Sequence, residues 1–188
     1  MIEAAGRLLQ ELGYHGTSLN DVLAASGAPR GSLYFHFPGG KDQLVLEATR
    51  VSMDAATQAL QDRLAHARAP ARAVRRFFDD TAQMVAASGF TLGCPVAPMV
   101  LDSPDESAGI AQLCREAFDT WTRLYAEAFT VAGLSRRRAE SLALLVEASH
   151  EGALLIARAR RDAAPIHAAA REIERVIAAM LREAARQR

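Results

Sequence analysis

Cysteine is almost missing from this chain of 188 residues: there are two, Cys94 and Cys114, and no C-x-x-C pair. That excludes a disulfide framework and a thiolate zinc site, and a reducing cytoplasm is the expected setting. No apolar run approaches the ~18 residues that a membrane span requires, so no membrane partner is expected. A signal peptide is not expected either, because Glu3 and Arg7 fall inside an amphipathic pattern at the N-terminus. Lys41 is the single lysine among 22 basic residues, and 22 acidic residues balance them to a formal net charge of zero. A chain that is basic throughout is excluded, although a local binding site is not. The 7 prolines and 12 glycines cluster at a few points. No β-branched run alternates with period two, so no strand is predicted.

Alanine is abundant instead, with 39 residues in a chain that is 50% hydrophobic. Alanine is the best helix former, and this much apolar surface supports a real core. The predicted fold class is all-α. Ile2, Ala5, Leu9 and Leu12 form a first stripe that Gly13 ends. Thr17 and Ser18 offer an N-cap to a second helix, with Asp21 as a short capping box, and Gly27 stops it. A third helix of two turns runs from Pro29 to His36 before Phe37, Pro38, Gly39 and Gly40 break it. A long helix follows from about Lys41 to His66, and a fifth starts after Pro70. Ser88 to Pro104 is expected to be irregular, because Gly89, Gly93, Pro95 and Pro98 interrupt it. Helices from about Asp105 to Ala132, from Ser135 to about Arg161, and beyond Pro165 complete the pattern. The expected domains are residues 1–45 and 46–188, with the seam in the long fourth helix.

The chemistry lies at the front. Two short helices joined by a turn containing Gly27 have the layout of a helix-turn-helix, whose second helix enters the DNA major groove. Gly31 and Ser32 are small enough for the backbone to come close to a duplex. Arg30 suits a phosphate or a guanine edge, and Ser32 and Tyr34 suit phosphate oxygens. A plain three-helix packing unit has the same spacing, with Tyr34 and Phe35 as core. The charge also argues the other way: residues 1–50 carry four basic and five acidic groups, a net −1. Counterion release from so neutral a module is small.

The run from Gly13 to Phe37, G-Y-H-G-T-S-L-N-D-V-L-A-A-S-G-A-P-R-G-S-L-Y-F-H-F, and its continuation to Leu44 resemble the DNA-binding domain of TetR-type transcriptional repressors. The Phe-Pro-Gly-Gly-Lys link and Gly93-Cys94-Pro95 are similar to the LmrA/YxaF-type branch of that family. The resemblance implies that Thr17 and Ser18 start the second helix against phosphate. It implies that Arg30, Gly31 and Ser32 face the groove, and that Tyr34, His36 and Lys41 hold phosphates. It also implies a short, often basic arm before the first helix, whereas Met1 here already falls inside that helix. The extra glycine of Gly39-Gly40 lengthens the link to the fourth helix and bears on the placing of Lys41.

Other motifs are weaker. Gly40-Lys41 lacks the rest of a phosphate-binding loop. Glu147-x-x-His150 has helical metal-ligand spacing beside Glu151, but a di-metal bundle needs two such motifs. No metal, cofactor or enzymatic activity is expected, and Glu147 and His150 read as a polar pair lining a pocket or as a solvated patch. Phe78, Met84, Phe90, Cys94, Met99, Phe118, Trp121 and Tyr125 form an apolar set that is either core or pocket lining. The resemblance implies a small, largely apolar effector in the C-terminal bundle, with these residues around it. Small residues on the last two helices, among them Ala148 and Gly152, allow close helix approach. With Leu155, Ile173, Val176, Ile177 and Met180 they leave an apolar face, either internal or facing a partner. The resemblance implies a homodimer. Together these lead to a ligand-responsive repressor released from a palindromic DNA operator; the alternative is a helical small-molecule binding protein that has lost DNA binding.

Overall fold

The computed structural model describes residues 1–65, 69–102 and 107–187. Among them the chain forms nine helices and no strand. They are α1 (Ile2–Gly16), α2 (Leu19–Ser26), α3 (Arg30–His36), α4 (Gly40–Ala65), α5 (Pro70–Ala87), α6 (Ala97–Asp102), α7 (Ala108–Val131), α8 (Arg136–Arg160) and α9 (Ala164–Arg186). The expected helix end at His66, the expected end of the irregular stretch at Pro104 and the expected helix start at Asp105 lie outside the described residues.

Two compact units emerge. One joins Met1–Ala56 with Cys94–Ala117, and the other joins Thr57–Gly93 with Phe118–Arg188. Helices α4 and α7 each supply residues to both units.

In the first unit, Leu9, Val22, Leu33, Phe37, Leu44 and Ala48 are buried together with Met99, Ile110 and Leu113. The stretch expected to be irregular contains α6, which packs against α1. Pro98 stands in the first turn of α6, where its missing N–H leaves no bond unmade, so proline here permits a helix as well as breaking one. Before it, Cys94 Sγ accepts the backbone N–H groups of Val96 and Ala97 at 3.4 and 3.3 Å.

Gly13 does not end α1 but kinks it, with φ +74° and ψ −174°. L-residues with a Cβ avoid that conformation. The room is also taken, since a Cβ at Gly13 would stand 2.6 Å from Asp102 Oδ2. The same carboxylate oxygen accepts the His15 backbone N–H at 2.9 Å, so α6 caps the turn that the kink opens.

In the second unit, α5 packs on α9, and α9 on α8. The inner faces repeat every three to four residues: Val74, Phe78, Thr81 and Val85 on α5, and Ile166, Ala170, Ile173 and Ile177 on α9. Arg75 bridges Asp79 and Glu174 at 3.6 and 2.8 Å, and Arg138 meets Glu183 at 3.1 Å. These pairs are partly exposed and orient the helices more than they stabilise them. Ile173 and Ile177, taken from the sequence as part of a possible partner-facing surface, are only 5% and 0% exposed in the single chain. They belong to its internal core, because the α9 stripe they share with Ile166 and Ala170 is the one turned inward.

Gly13→Ala should destabilise the first unit by about 1–3 kcal/mol, from left-handed strain and the clash with Asp102. Urea denaturation checks this. The double variant Gly13→Ala/Asp102→Ala should lose less than the two single losses summed, because one collision is counted in both.

Candidate DNA-binding surface

The helix-turn-helix is set by its caps. Ser18 Oγ accepts the Asp21 backbone N–H at 3.2 Å, and Asp21 Oδ2 accepts the Ser18 backbone N–H at 3.1 Å. This is the reciprocal capping box that the sequence spacing suggested. The Ser18 hydroxyl, which donates to Asp21 Oδ2 at 2.6 Å, and then the Ser18 backbone N–H hold the Asp21 carboxyl below its ordinary range. At the other end Gly27 takes φ +66°, and its N–H closes α2 onto the Leu23 carbonyl at 3.0 Å. A left-handed glycine there turns the chain sharply into α3.

Helix α3 has an inner and an outer side. Leu33 is fully buried and Phe37 is 4% exposed, four residues apart. The outer side presents Arg30, Gly31, Tyr34, Phe35 and His36 to solvent. Tyr34 is 60% and Phe35 81% exposed, so neither is core. Phe35 is the residue that sequence reasoning missed as a surface group. The signal was present, because Leu33 and Phe37 as anchors force positions 34 and 35 outward. Its ring meets that of His36 edge to face, with centroids 5.1 Å apart.

The polar groups are already aimed. Arg30 Nη2 donates to Asn20 Oδ1 at 3.1 Å, which spans α2 and α3 across the exposed face. Ser32 Oγ donates to the Pro29 carbonyl at 2.7 Å. Lys41 Nζ stands 4.2 Å from the centre of the Tyr14 ring, a cation–π contact that fixes a long flexible side chain in the first turn of α4. Tyr14 in turn donates its hydroxyl to Asp42. Burial and then that bond push the Tyr14 phenol up to about 12. Thr17 stands apart from the other expected contacts. It is 3% exposed, and its hydroxyl donates to the Gly13 carbonyl at 2.8 Å. In this arrangement its side chain braces the α1–α2 corner.

The residues expected around an effector divide between the units. Cys94 and Met99 belong to the first, and Phe78, Met84, Phe90, Phe118, Trp121, Tyr125, Glu147 and His150 to the second. Within the second unit Phe78 and His150 meet at 4.8 Å between ring centres, and Phe118 and Trp121 at 5.5 Å. Trp121 Nε1 donates to Thr57 Oγ1 at 2.8 Å. Met84 is 39% exposed and lies outside this buried set. Burial pushes the Glu147 carboxyl up to about 7, against the pull of His150 and with the push of Glu151. A surface groove of about 650 Å³ runs along α7 and α8, lined by Asp119, Arg123, Val131, Glu140 and Leu144 among others; none of the expected effector residues lines it.

Helix α8 has a second apolar face. Leu144, Leu145, Leu155 and Ile156 are 62, 47, 65 and 45% exposed. Ala148 is exposed between them, and Gly152 is half-buried with nothing within 4 Å of an added Cβ. On α9, Val176 is 37% exposed and Met180 half-buried. No described helix is long and apolar enough to cross a membrane.

Comparison with known proteins agrees with this arrangement. Residues 1–48 match the family described as bacterial regulatory proteins, tetR family. Residues 70–172 match the C-terminal domain described as transcriptional regulator LmrA/YxaF-like. An uncharacterized HTH-type transcriptional regulator of Mycobacterium tuberculosis is 35% identical over 99% of this chain and 96% of its own length. The HTH-type transcriptional regulator LmrA of Bacillus subtilis is 32% identical over 88% of each chain. A TetR transcriptional regulator of Chloroflexus aurantiacus has a crystal structure that superposes with a TM-score of 0.80 and 26% identity, covering 94% of this chain and 91% of that one. A helix-turn-helix with an outward α3, followed by a helical domain matching its own family, makes this chain a DNA-binding transcriptional regulator of the TetR family, with an LmrA/YxaF-like C-terminal domain.

Proposed function

We propose that the chain is a homodimeric, cytoplasmic repressor, which holds a palindromic operator through two copies of α3 and releases it when a small, largely apolar effector binds the C-terminal domain. The observation that carries the DNA-reading part is Gly31. A glycine inside a helix costs up to about 1 kcal/mol relative to alanine. Here a Cβ at that position would meet nothing within 4 Å, so no packing inside the chain requires the glycine. The requirement comes from outside, from a duplex against which the backbone of α3 must lie. Ser18, Arg30, Ser32, Tyr34, Phe35, His36 and Lys41 surround it as contacts to phosphate and base edges. Phe35 suits a thymine methyl group. Thr17, which the family resemblance puts in the same set, serves instead to hold the start of α2 in place.

Dimerisation is supported by the outward face of α8. A helix apolar on opposite sides is buried on both, and the chain covers only one of them. Leu144, Ala148, Gly152 and Leu155 make one stripe of that face and Leu145 and Ile156 another, with Val176 and Met180 beside them on α9. A two-fold axis through this face pairs like with like and spaces two α3 helices for a palindrome. The effector reading is supported by Phe78, Phe118, Trp121 and Tyr125 in the second unit. Cys94 and Cys114, both buried and neither in a disulfide, suit a reducing compartment.

DNA selected from a random pool by the purified protein should contain an inverted repeat. Gly31→Ala should leave thermal stability equal or slightly higher and yet weaken operator binding. Arg30→Ala should cost on the order of 1–3 kcal/mol of operator affinity and relax base preference. Gel-shift titrations against the operator and its point variants read both; full affinity in Gly31→Ala would remove α3 from the groove.

Leu155→Asp should bury a charge at the interface and cost several kcal/mol per dimer. Light scattering should then show folded monomers with operator binding lost. Ile177→Asp, by contrast, should fail to fold, since that side chain is internal. A stable dimer of the Leu155 variant would place the interface elsewhere.

A further inference from the structure

We propose that Glu147, His150 and Glu151 of α8, with the hydroxyl of Tyr125 on α7, form a binding site for one divalent transition-metal ion inside the second unit. Positions i, i+3 and i+4 put the three α8 side chains on one face. One ligand atom from each lies within 4.8 Å of the others. Two atoms bonded to the same ion at about 2.1 Å stand no more than about 4.2 Å apart. In a tetrahedral shell the separation is about 3.4 Å, so the donors must close by up to about 1.4 Å, which rotation about the Glu147 and Glu151 side-chain bonds supplies.

The imidazole is held in the way a ligating histidine is held. Its Nε2 lies 3.1 Å from Thr81 Oγ1, and its Nδ1 points to the Glu151 carboxylate at 3.7 Å. Phe77 and Phe78 pack against the ring, with centres at 5.2 and 4.8 Å. An outer partner on one nitrogen fixes the tautomer and leaves the other for the metal.

Tyr125 is the independent observation. It is fully buried, and its hydroxyl has no hydrogen-bond partner. It also lies within the field of both Glu147 and Glu151. A buried hydroxyl without a partner is a net cost unless something fills the space before it. Glu147, 7% exposed, is likewise buried. Two carboxylates and a neutral imidazole offset the charge of a divalent ion. One nitrogen and three oxygens suit zinc, cobalt, nickel or ferrous iron rather than a thiophilic ion. Calcium prefers six to eight oxygens, which this cluster lacks. Glu151, whose side chain is 21% exposed, gives the ion its way in. Sequence spacing set the motif aside because a second Glu-x-x-His is missing, but a site for a single ion needs only one. The proposal adds an inorganic ligand to the apolar-effector reading and does not rest on it.

The test uses the full-length protein, stripped with a chelator and titrated with cobalt(II) under visible absorption, then with zinc(II) as competitor. One cobalt per chain with a saturating ligand-field band is expected, together with a rise in melting temperature. Glu147→Gln and His150→Asn should weaken binding at least 100-fold, and Tyr125→Phe about 10-fold. His167→Asn, on α9, should change nothing. If the His150 variant fails to fold, Glu147→Gln and Tyr125→Phe still decide the matter. The proposal is overturned if the parent shows no saturable cobalt binding, if Glu147→Gln binds as tightly as the parent, or if His167→Asn abolishes binding. Operator binding by the metal-free protein is read separately, so failure there does not touch this result.

Discussion

A helix of seven residues does not persist in water, because its nucleation cost exceeds the few hydrogen bonds it closes. Everything α3 does therefore depends on the burial of Leu33 and Phe37 against the rest of the first unit. Those two side chains fix the helix in rotation as well as in position, and rotation decides which residues reach solvent. Gly27 and the Ser18–Asp21 box then fix α2, on which α3 leans. The outward set from Arg30 to His36 is thus a consequence of two apolar anchors four residues apart.

The low charge of residues 1–50, a net −1, fits this picture. With few basic groups, affinity cannot come from nonspecific attraction to phosphate. The chain places its few cations on short, restrained leads instead. Arg30 is held by Asn20, and Lys41 rests on the Tyr14 ring. In the proposed reading, in which both side chains contact DNA, such restraint lowers the entropy each loses on binding, so a small number of contacts goes further.

Much of this was legible in the sequence because it is written in local rules. Helix stripes, the capping box, the Gly27 turn and the Gly13-to-Phe37 motif each depend on residues within one or two turns of each other. What was not legible depends on partners far along the chain. Gly13 looked like a helix stop, and the reason it is a kink lies at Asp102, 87 residues from His15. Helix α6 was hidden by Gly93, Pro95 and Pro98, since a proline in a first turn and a proline that breaks a helix look alike in a string. Ile173 and Ile177 were read with Val176 as one apolar face, although neighbouring positions on a helix point about 100° apart. Composition gave that face its character but not its direction. The Tyr125 hydroxyl joined to the Glu147–His150 pair needed two helices at once.

The chain passes from unit to unit at Ala56–Thr57 inside α4, at Gly93–Cys94, and at Ala117–Phe118 inside α7. Two of these crossings lie within helices. The third is pinned on both sides of the bond. Before it, Gly93 lies so close to Arg158 of α8 that a Cβ would stand 3.0 Å from the guanidinium. After it, Cys94 Sγ takes the first two amides leading into α6, and α6 ends at Asp102 on the α1 kink. Helix α8 therefore carries an inward polar cluster, an outward apolar face and the contact that fills the space at Gly93. Position alone does not make these a switch. A ligand shifts the chain only as far as its affinities for two conformations differ, and the usual range for such coupling is ~1–3 kcal/mol. In the proposed reading α3, two turns resting on Leu33 and Phe37, is the element on which such a bias would act.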